Sequence, residues 1–205
     1  MLGLWPLPER TPLQPVITGI IEREEGFRVE KLHFQSRPHL YVTGNLYLPK
    51  NGQAGAKLPA VLYVCGHSGR GRDGNKTAFQ QHGMWFATHG YACLLIDTLQ
   101  LGEIAAIHHG TYRENRWWWQ ARGYTPAAVE CWNGIRAIDY LQARPEVDPD
   151  QISEHAGDAD VALERPGRGA VEGNQTTAGR VGEDEVGASC AWHQARRDRQ
   201  QGDGE

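Results

Sequence analysis

Apolar residues in this chain fall into two kinds of run, and each kind implies a different element. GFRVEKLHFQ (26–35) and LYVTGNLYLP (40–49) mix apolar and polar positions over lengths and residue types that suit half-buried strands. Pro38 lies between them and makes an antiparallel pair the simplest arrangement. LPAVLYVCG (58–66) and YACLLIDTL (91–99) are almost unbroken apolar, the mark of strands covered on both faces, and the second runs out at Asp97. Between these two, residues 77–89 predict a helix with Thr77 as its N-cap and Gly90 as its stop. A long irregular stretch through HHGTYRENRWWWQARGY follows. Thr125-Pro126 then announces a helix by N-cap and first-turn proline. Ala128, Cys131, Trp132, Ile135, Ile138 and Leu141 recur at helical spacing over 126–143, so they predict its buried face. Pro145 stops the helix, and VDPDQI (147–152) reads as a turn leading into a further strand.

Two antiparallel strands followed by strand, helix, strand, helix and strand specify an α/β sheet that turns from antiparallel to parallel. Loops beyond the carboxyl ends of parallel strands hold the chemistry of such sheets. Attention therefore falls on 65–77, on 97–104 and on whatever follows Ile152. Residues 1–25 read as an N-terminal extension and 26–152 as the folded domain. From Ser153 to Glu205 the pattern vanishes: there is one leucine, four valines and no isoleucine, phenylalanine, tyrosine or methionine. Such a segment cannot bury enough apolar surface to offset its ordering entropy, so 153–205 reads as a disordered tail with a short helix around 191–197.

Composition narrows the partners. A chain of 205 residues fits one domain. A net charge of −4 and a pI near 6.1 supply no global basic field for nucleic acid or an anionic membrane, so neither partner is expected. The start, MLGLWPLPERTPLQPV, has neither a basic opening nor an unbroken apolar run, and no stretch reaches the ~20 apolar residues that span a bilayer. The chain reads as soluble and cytoplasmic. Cys65, Cys93 and Cys131 lie in apolar stretches without C-x-x-C spacing, which predicts reduced, buried thiols.

Several stretches carry candidate chemistry. Gly66-His67-Ser68-Gly69 sets a serine and a histidine in a glycine-flanked turn after an apolar strand. Residues 69–77, G-R-G-R-D-G-N-K-T, approach the phosphate-cradling pattern G-x-x-x-x-G-K-[ST] but insert Asn75 between Gly74 and Lys76. That spacing sets whether amides and lysine converge on one phosphate, so nucleotide binding stands as an alternative function. His67, His82, His89, His108 and His109 include no i,i+4 helical pair with a carboxylate at ligand spacing; they read as solvated or loop-packing, and no metal is expected. Trp117, Trp118 and Trp119 beside Arg113 and Arg116 suit either the stacking of a sugar or packing over a sheet edge. Asp97, Glu103 and Trp118 are candidates for a pocket mouth, with capping and turn roles as the alternative for the two acids.

LPAVLYVCGHSG, FATHGYACLLIDTLQLGE and AAVECWNGIRAIDYLQARPEVDPDQI resemble the opening half of α/β-hydrolases of the acetylxylan-esterase, dienelactone-hydrolase and prolyl-oligopeptidase-like kind, over about 26–152. The resemblance implies hydrolysis of a small carboxylic ester, acetyl or carbohydrate, by a serine-histidine-aspartate triad with no cofactor. A serine hydroxyl needs a base and a strained strand-to-helix turn, G-x-S-x-G, and the oxyanion hole borrows an amide from the loop after an earlier strand. GHSG follows that earlier strand, and Arg70 stands where an elbow needs glycine. The resemblance thus makes Gly66, His67 and Ser68 candidates for the oxyanion loop, with a plain glycine turn as the alternative. After VDPDQI it calls for a strand and an elbow, but the chain reads SEHAGDADVALERPG. No catalytic residue is assigned, and none is carried onto His155, Asp158, Asp160 or His193. The expectation is an incomplete α/β-hydrolase fold with little or no esterase activity, a tail translated out of frame, and self-association through an exposed sheet edge. A non-catalytic interaction module is the remaining alternative.

Overall fold

A computed structural model describes residues 3–50, 55–69 and 71–156, and its strands follow the two kinds of apolar run. The half-polar runs form β2 (Phe27–Arg37) and β3 (Leu40–Pro49), paired antiparallel with Phe27 opposite Pro49 and Gln35 opposite Tyr41. The unbroken runs form β4 (Leu58–Val64) and β5 (Ala92–Ile96), adjacent and parallel. β1 (Val16–Glu22) pairs antiparallel with β2, and β6 (Val147–Ala156) lies parallel to β4, giving the sheet order β1-β2-β3-β5-β4-β6. This is the mixed sheet expected, turning parallel from β4 onward.

Period-two alternation explains why β4 and β5 carry no polar positions. Leu46, Leu62 and Leu94 point to one face, where Ala137, Tyr140 and Leu141 of α5 (Pro126–Gln142) cover them. Their neighbours Tyr47, Tyr63 and Leu95 point to the other, against Met84, Phe86 and Ala87 of α2 (Gln80–Thr88). Helices on both faces leave no solvent side for a polar residue. Gly83 lets α2 approach closely, since a Cβ there would stand 2.5 Å from the Tyr47 ring.

Several elements depart from the sequence reading. β1 lies inside what reads as an N-terminal extension; its Val16, Ile17, Ile20 and Ile21 are exposed, so it has no buried stripe to betray it, and its ladder with β2 is what holds it. Thr77 is not an N-cap. Helix begins earlier, at α1 (Asn75–Ala78) behind Gly74, and Thr77 Oγ1 instead donates to the carbonyls of Asp73 (2.9 Å) and Gly74 (3.0 Å). At α5 the cap is as expected: Thr125 Oγ1 accepts from Ala128 N at 3.1 Å, with Pro126 in the first turn. The buried face of α5 is turned, however. Cys131 is exposed and Ile135 and Ile138 are half-buried, while Asn133 and Arg136 are buried. Pairing makes this affordable: Asn133 Oδ1 accepts from Ser36 Oγ at 2.6 Å, and Arg136 reaches the Asp139 carboxylate and the Thr11 carbonyl. Cys65 and Cys93 are buried free thiols, and burial pushes both pKa values upward.

Residues 147–152 belong to β6 rather than to a turn before it. Val147 pairs with Leu58 and Ile152 with Ala60, so the intervening residues bulge from the ladder, with Asp148 Oδ1 accepting from Asp150 N at 3.1 Å. The strand then continues past Ile152, through Ser153 opposite Val61 and His155 opposite Tyr63. The expected tail helix at 191–197 and the disorder expected of the tail beyond Ala156 lie outside the described residues.

Candidate functional site

Strand order reverses about β4, because the chain passes from β4 to β5 on one side and later reaches β6 on the other. Such a reversal opens a crevice beyond the carboxyl ends of the strands. Here the loop after β4 meets the loop after β5, and three polar groupings join them.

The innermost centres on Asp97, directly after β5 and only 1% exposed. Its carboxylate accepts from Thr43 Oγ1 at 2.8 Å, from Lys76 N at 3.1 Å and from the Lys76 ammonium, which also meets Glu103 at 3.0 Å. Gly74 and Gly102 are required around it, because a Cβ on either would lie 2.4 Å or 2.2 Å from that carboxyl group. Asp97, expected at a pocket mouth, is therefore buried beneath the loops: a carboxylate at a strand end finds its charge partner and amide donors inward. Glu103 is exposed and capped onto the same lysine. Lys76, the lysine of the phosphate-loop alternative, is held between two carboxylates.

Asn75 forms the second grouping. Fully buried, it accepts from Ser68 N at 3.1 Å, donates to Thr98 Oγ1 at 2.8 Å, and its own amide donates to Leu101 O at 2.9 Å. One side chain thus ties the loop after β4 to the loop after β5. The sequence signalled Asn75 only as the residue that spoils a phosphate-loop spacing. Of the three oxyanion candidates, Ser68 has its amide committed to Asn75, while Gly66 is half-buried and His67 exposed on the same loop. Ser68 Oγ is buried without a hydrogen-bond partner among the described residues, so no base activates it there.

Outermost is a histidine cluster. His67 Nε2 lies 2.9 Å from His108 Nε2, and His108 Nδ1 lies 2.8 Å from Glu130 Oε1, on α5. One ring nitrogen from each of His67, His108 and His109 falls within 4.8 Å of the others. Gln100 Oε1 fixes the pair 108–109 by accepting from His108 N at 2.9 Å and His109 N at 3.4 Å. Glu130 also accepts from Leu99 N at 3.3 Å. Partial burial, then the neighbouring His108, Arg113 and His67, hold the pKa of His109 below the ordinary histidine value. The remaining two histidines weighed from sequence lie elsewhere: His82 Nδ1 meets the Tyr63 hydroxyl at 2.5 Å, and His89 stacks on Trp85.

The tryptophan run divides. Trp119 is buried against Gly110 and Tyr124, whereas Trp117 and Trp118 are exposed on and before α4 (Trp118–Ala121), with the Arg122 guanidinium 5.2 Å from the Trp118 ring centre. One ring of WWW therefore packs inward against its own loop, and two face out.

No family model matches the sequence, and no curated protein matches it. Solved structures do. A protein assigned as an acetyl xylan esterase from Bacteroides fragilis NCTC 9343 superposes with a TM-score of 0.57 at 18% identity, covering 73% of this chain and 42% of its own. An acetyl xylan esterase from Paenibacillus sp. R4 gives 0.52 at 17% identity, over 71% and 46%. The methylesterase BT1017 gives 0.56 at 23% identity, over 72% and 30%. The fold is a mixed six-stranded sheet with flanking helices of the α/β-hydrolase type. This chain spans less than half the length of each of these neighbours.

Proposed function

We propose that the described residues supply the oxyanion side of a carboxylic-ester hydrolase site, acting on a small acetyl or carbohydrate ester, and that this chain does not itself turn over esters by a serine mechanism. The observation that carries the reading is the loop after β4, anchored by Asn75 at the point where strand order reverses. That is where an α/β-hydrolase takes its second oxyanion amide. With the Ser68 amide engaged, the amide of His67 is the donor of choice. The inactive half of the reading rests on sequence: the chain after Ile152 reads SEHAGDADVALERPG, with no G-x-S-x-G, and Ser68 Oγ has no hydrogen-bond partner among the described residues. The solved neighbours named for acetyl xylan and methyl ester chemistry support the substrate class at the level of fold.

Purified full-length chain should hydrolyse 4-nitrophenyl acetate no faster than buffer containing an equal concentration of imidazole, and should resist labelling by a fluorophosphonate. Turnover that disappears in Ser68→Ala would restore Ser68 as a nucleophile and defeat the reading.

A further inference from the structure

We propose that His67, His108 and His109 form a binding site for a divalent transition-metal ion of the zinc class, with Glu130 as the outer carboxylate that orients His108. This goes beyond the ester-hydrolase reading and does not depend on it.

The geometry is near that of an assembled site. Tetrahedral zinc with Zn–N bonds of ~2.0–2.1 Å places pairs of ligand nitrogens about 3.3 Å apart. Here two of the three nitrogens are 2.9 Å apart, and all lie within 4.8 Å of one another. Small ring rotations therefore suffice to admit an ion. A separation of 2.9 Å between two imidazole nitrogens is itself a hydrogen bond, in which one ring donates and the other offers a lone pair. The two ring nitrogens thus already face one another across one proton, and a cation between them would take that proton's place, with the donor ring deprotonated at that nitrogen.

The surroundings fit as well. Metal-bound histidines commonly donate their second N–H to a carboxylate, which fixes the tautomer and raises ligand basicity. Glu130 stands in that relation to His108 at 2.8 Å, and is itself held by Leu99 N. Gln100 fixes the backbone of both His108 and His109. Arg113 is the opposing charge near His109, and Glu130 offsets it. An all-imidazole donor set favours zinc, copper, nickel or cobalt over magnesium or calcium, which take oxygen ligands. Three protein ligands leave the fourth position for water or a small anion. Sequence spacing concealed the site because His67 comes from the loop after β4 and His108-His109 from the loop after β5. The strand pairing brings together residues 41 positions apart.

The test uses the full chain and the metal alone. Cobalt(II) titrated into metal-free protein at neutral pH should bind one-to-one with the visible bands of four-coordinate cobalt, and zinc should displace it. Glu130→Gln should weaken binding ~10–100-fold. His67→Ala, in which an exposed side chain is cut back, should retain the wild-type far-ultraviolet dichroism and lose the bands. Cys190→Ser with His193→Ala should leave binding intact. Independently of any variant, zinc should shift the ring resonances of His67, His108 and His109 and leave those of His33 and His39 in place. The proposal is overturned if the wild-type chain shows no saturable binding, if His67→Ala binds cobalt as tightly as wild type, or if the tail variant abolishes binding.

Discussion

Two polar groupings sit at the same end of the parallel strands, and they are built on opposite principles. Asp97 and Lys76 are buried, and the Asp97 carboxylate has a side-chain, an ammonium and an amide donor around it. His67 is exposed and His108 and His109 are half-buried, and the three are joined by mutual ring contacts, one ring-to-ring hydrogen bond and one carboxylate. A buried pair that is fully satisfied can only hold the loops in place, because moving either charge leaves the other stranded. A partly exposed cluster of facing rings contributes less to folding than such a buried pair. The two groupings thus lie in two layers at the same end of the sheet, and Asn75 ties together the two loops that carry them.

The contrast predicts a steep gradient of mutational effects. Asp97→Ala leaves the buried Lys76 ammonium with only the exposed Glu103 carboxylate, and the Thr43 hydroxyl and Lys76 amide without their acceptor, and should cost about 3–5 kcal/mol, read as a lowered urea midpoint at unchanged slope. Gly102→Ala forces a methyl group against the Asp97 carboxyl and should cost about 1–3 kcal/mol in the same assay. Asn75→Ala leaves the Ser68 amide and Thr98 hydroxyl without their partner and should cost about 1–3 kcal/mol. It should also speed hydrogen exchange at Ser68 while leaving β5 amides protected. His67→Ala in metal-free protein belongs at the foot of the scale, within about 0.5 kcal/mol of wild type. A His67→Ala cost equal to that of Asp97→Ala would erase the distinction between the layers.

Protonation gives a further handle. Burial, then His155, holds the pKa of His82 below the ordinary histidine value of 6.5, and His109 is lowered as well. The unfolded chain therefore binds protons more readily than the folded one at these positions. Their contribution is complete above 6.5 and is lost as pH falls through the lower folded-state values, so stability should decline below pH 6.5. Histidine ring titration by NMR checks both directions.

Legibility followed how local each cause is. The N-cap at Thr125, the strands under LPAVLYV and ACLLI and the antiparallel pair 27–49 depend on residues within a few positions of one another, and the sequence shows them. β1 was missed because its apolar side chains face outward and only the ladder to β2 makes it a strand. Asp97 was misplaced because an acid at the end of an apolar strand looks alike from sequence whether a lysine waits inside or water lies outside. The buried face of α5 was turned because Asn133 and Arg136 count as polar until Ser36, Asp139 and Thr11 supply their partners. For the candidate oxyanion loop, sequence placed 66–68 in the loop after β4. It could not show that Asn75 claims the Ser68 amide.

By itself, the sequence determined the order of strands β2 to β5 and of helix α5, the switch from antiparallel to parallel strands, and the want of a nucleophile turn after VDPDQI. These are written in hydrophobic period and glycine spacing, which act along the chain. Only the tertiary structure decided which polar residues meet. Parallel pairing of β4 with β5 aligns two loops distant in sequence, and that alignment buries Asp97 on Lys76 and gathers His67, His108 and His109 above them.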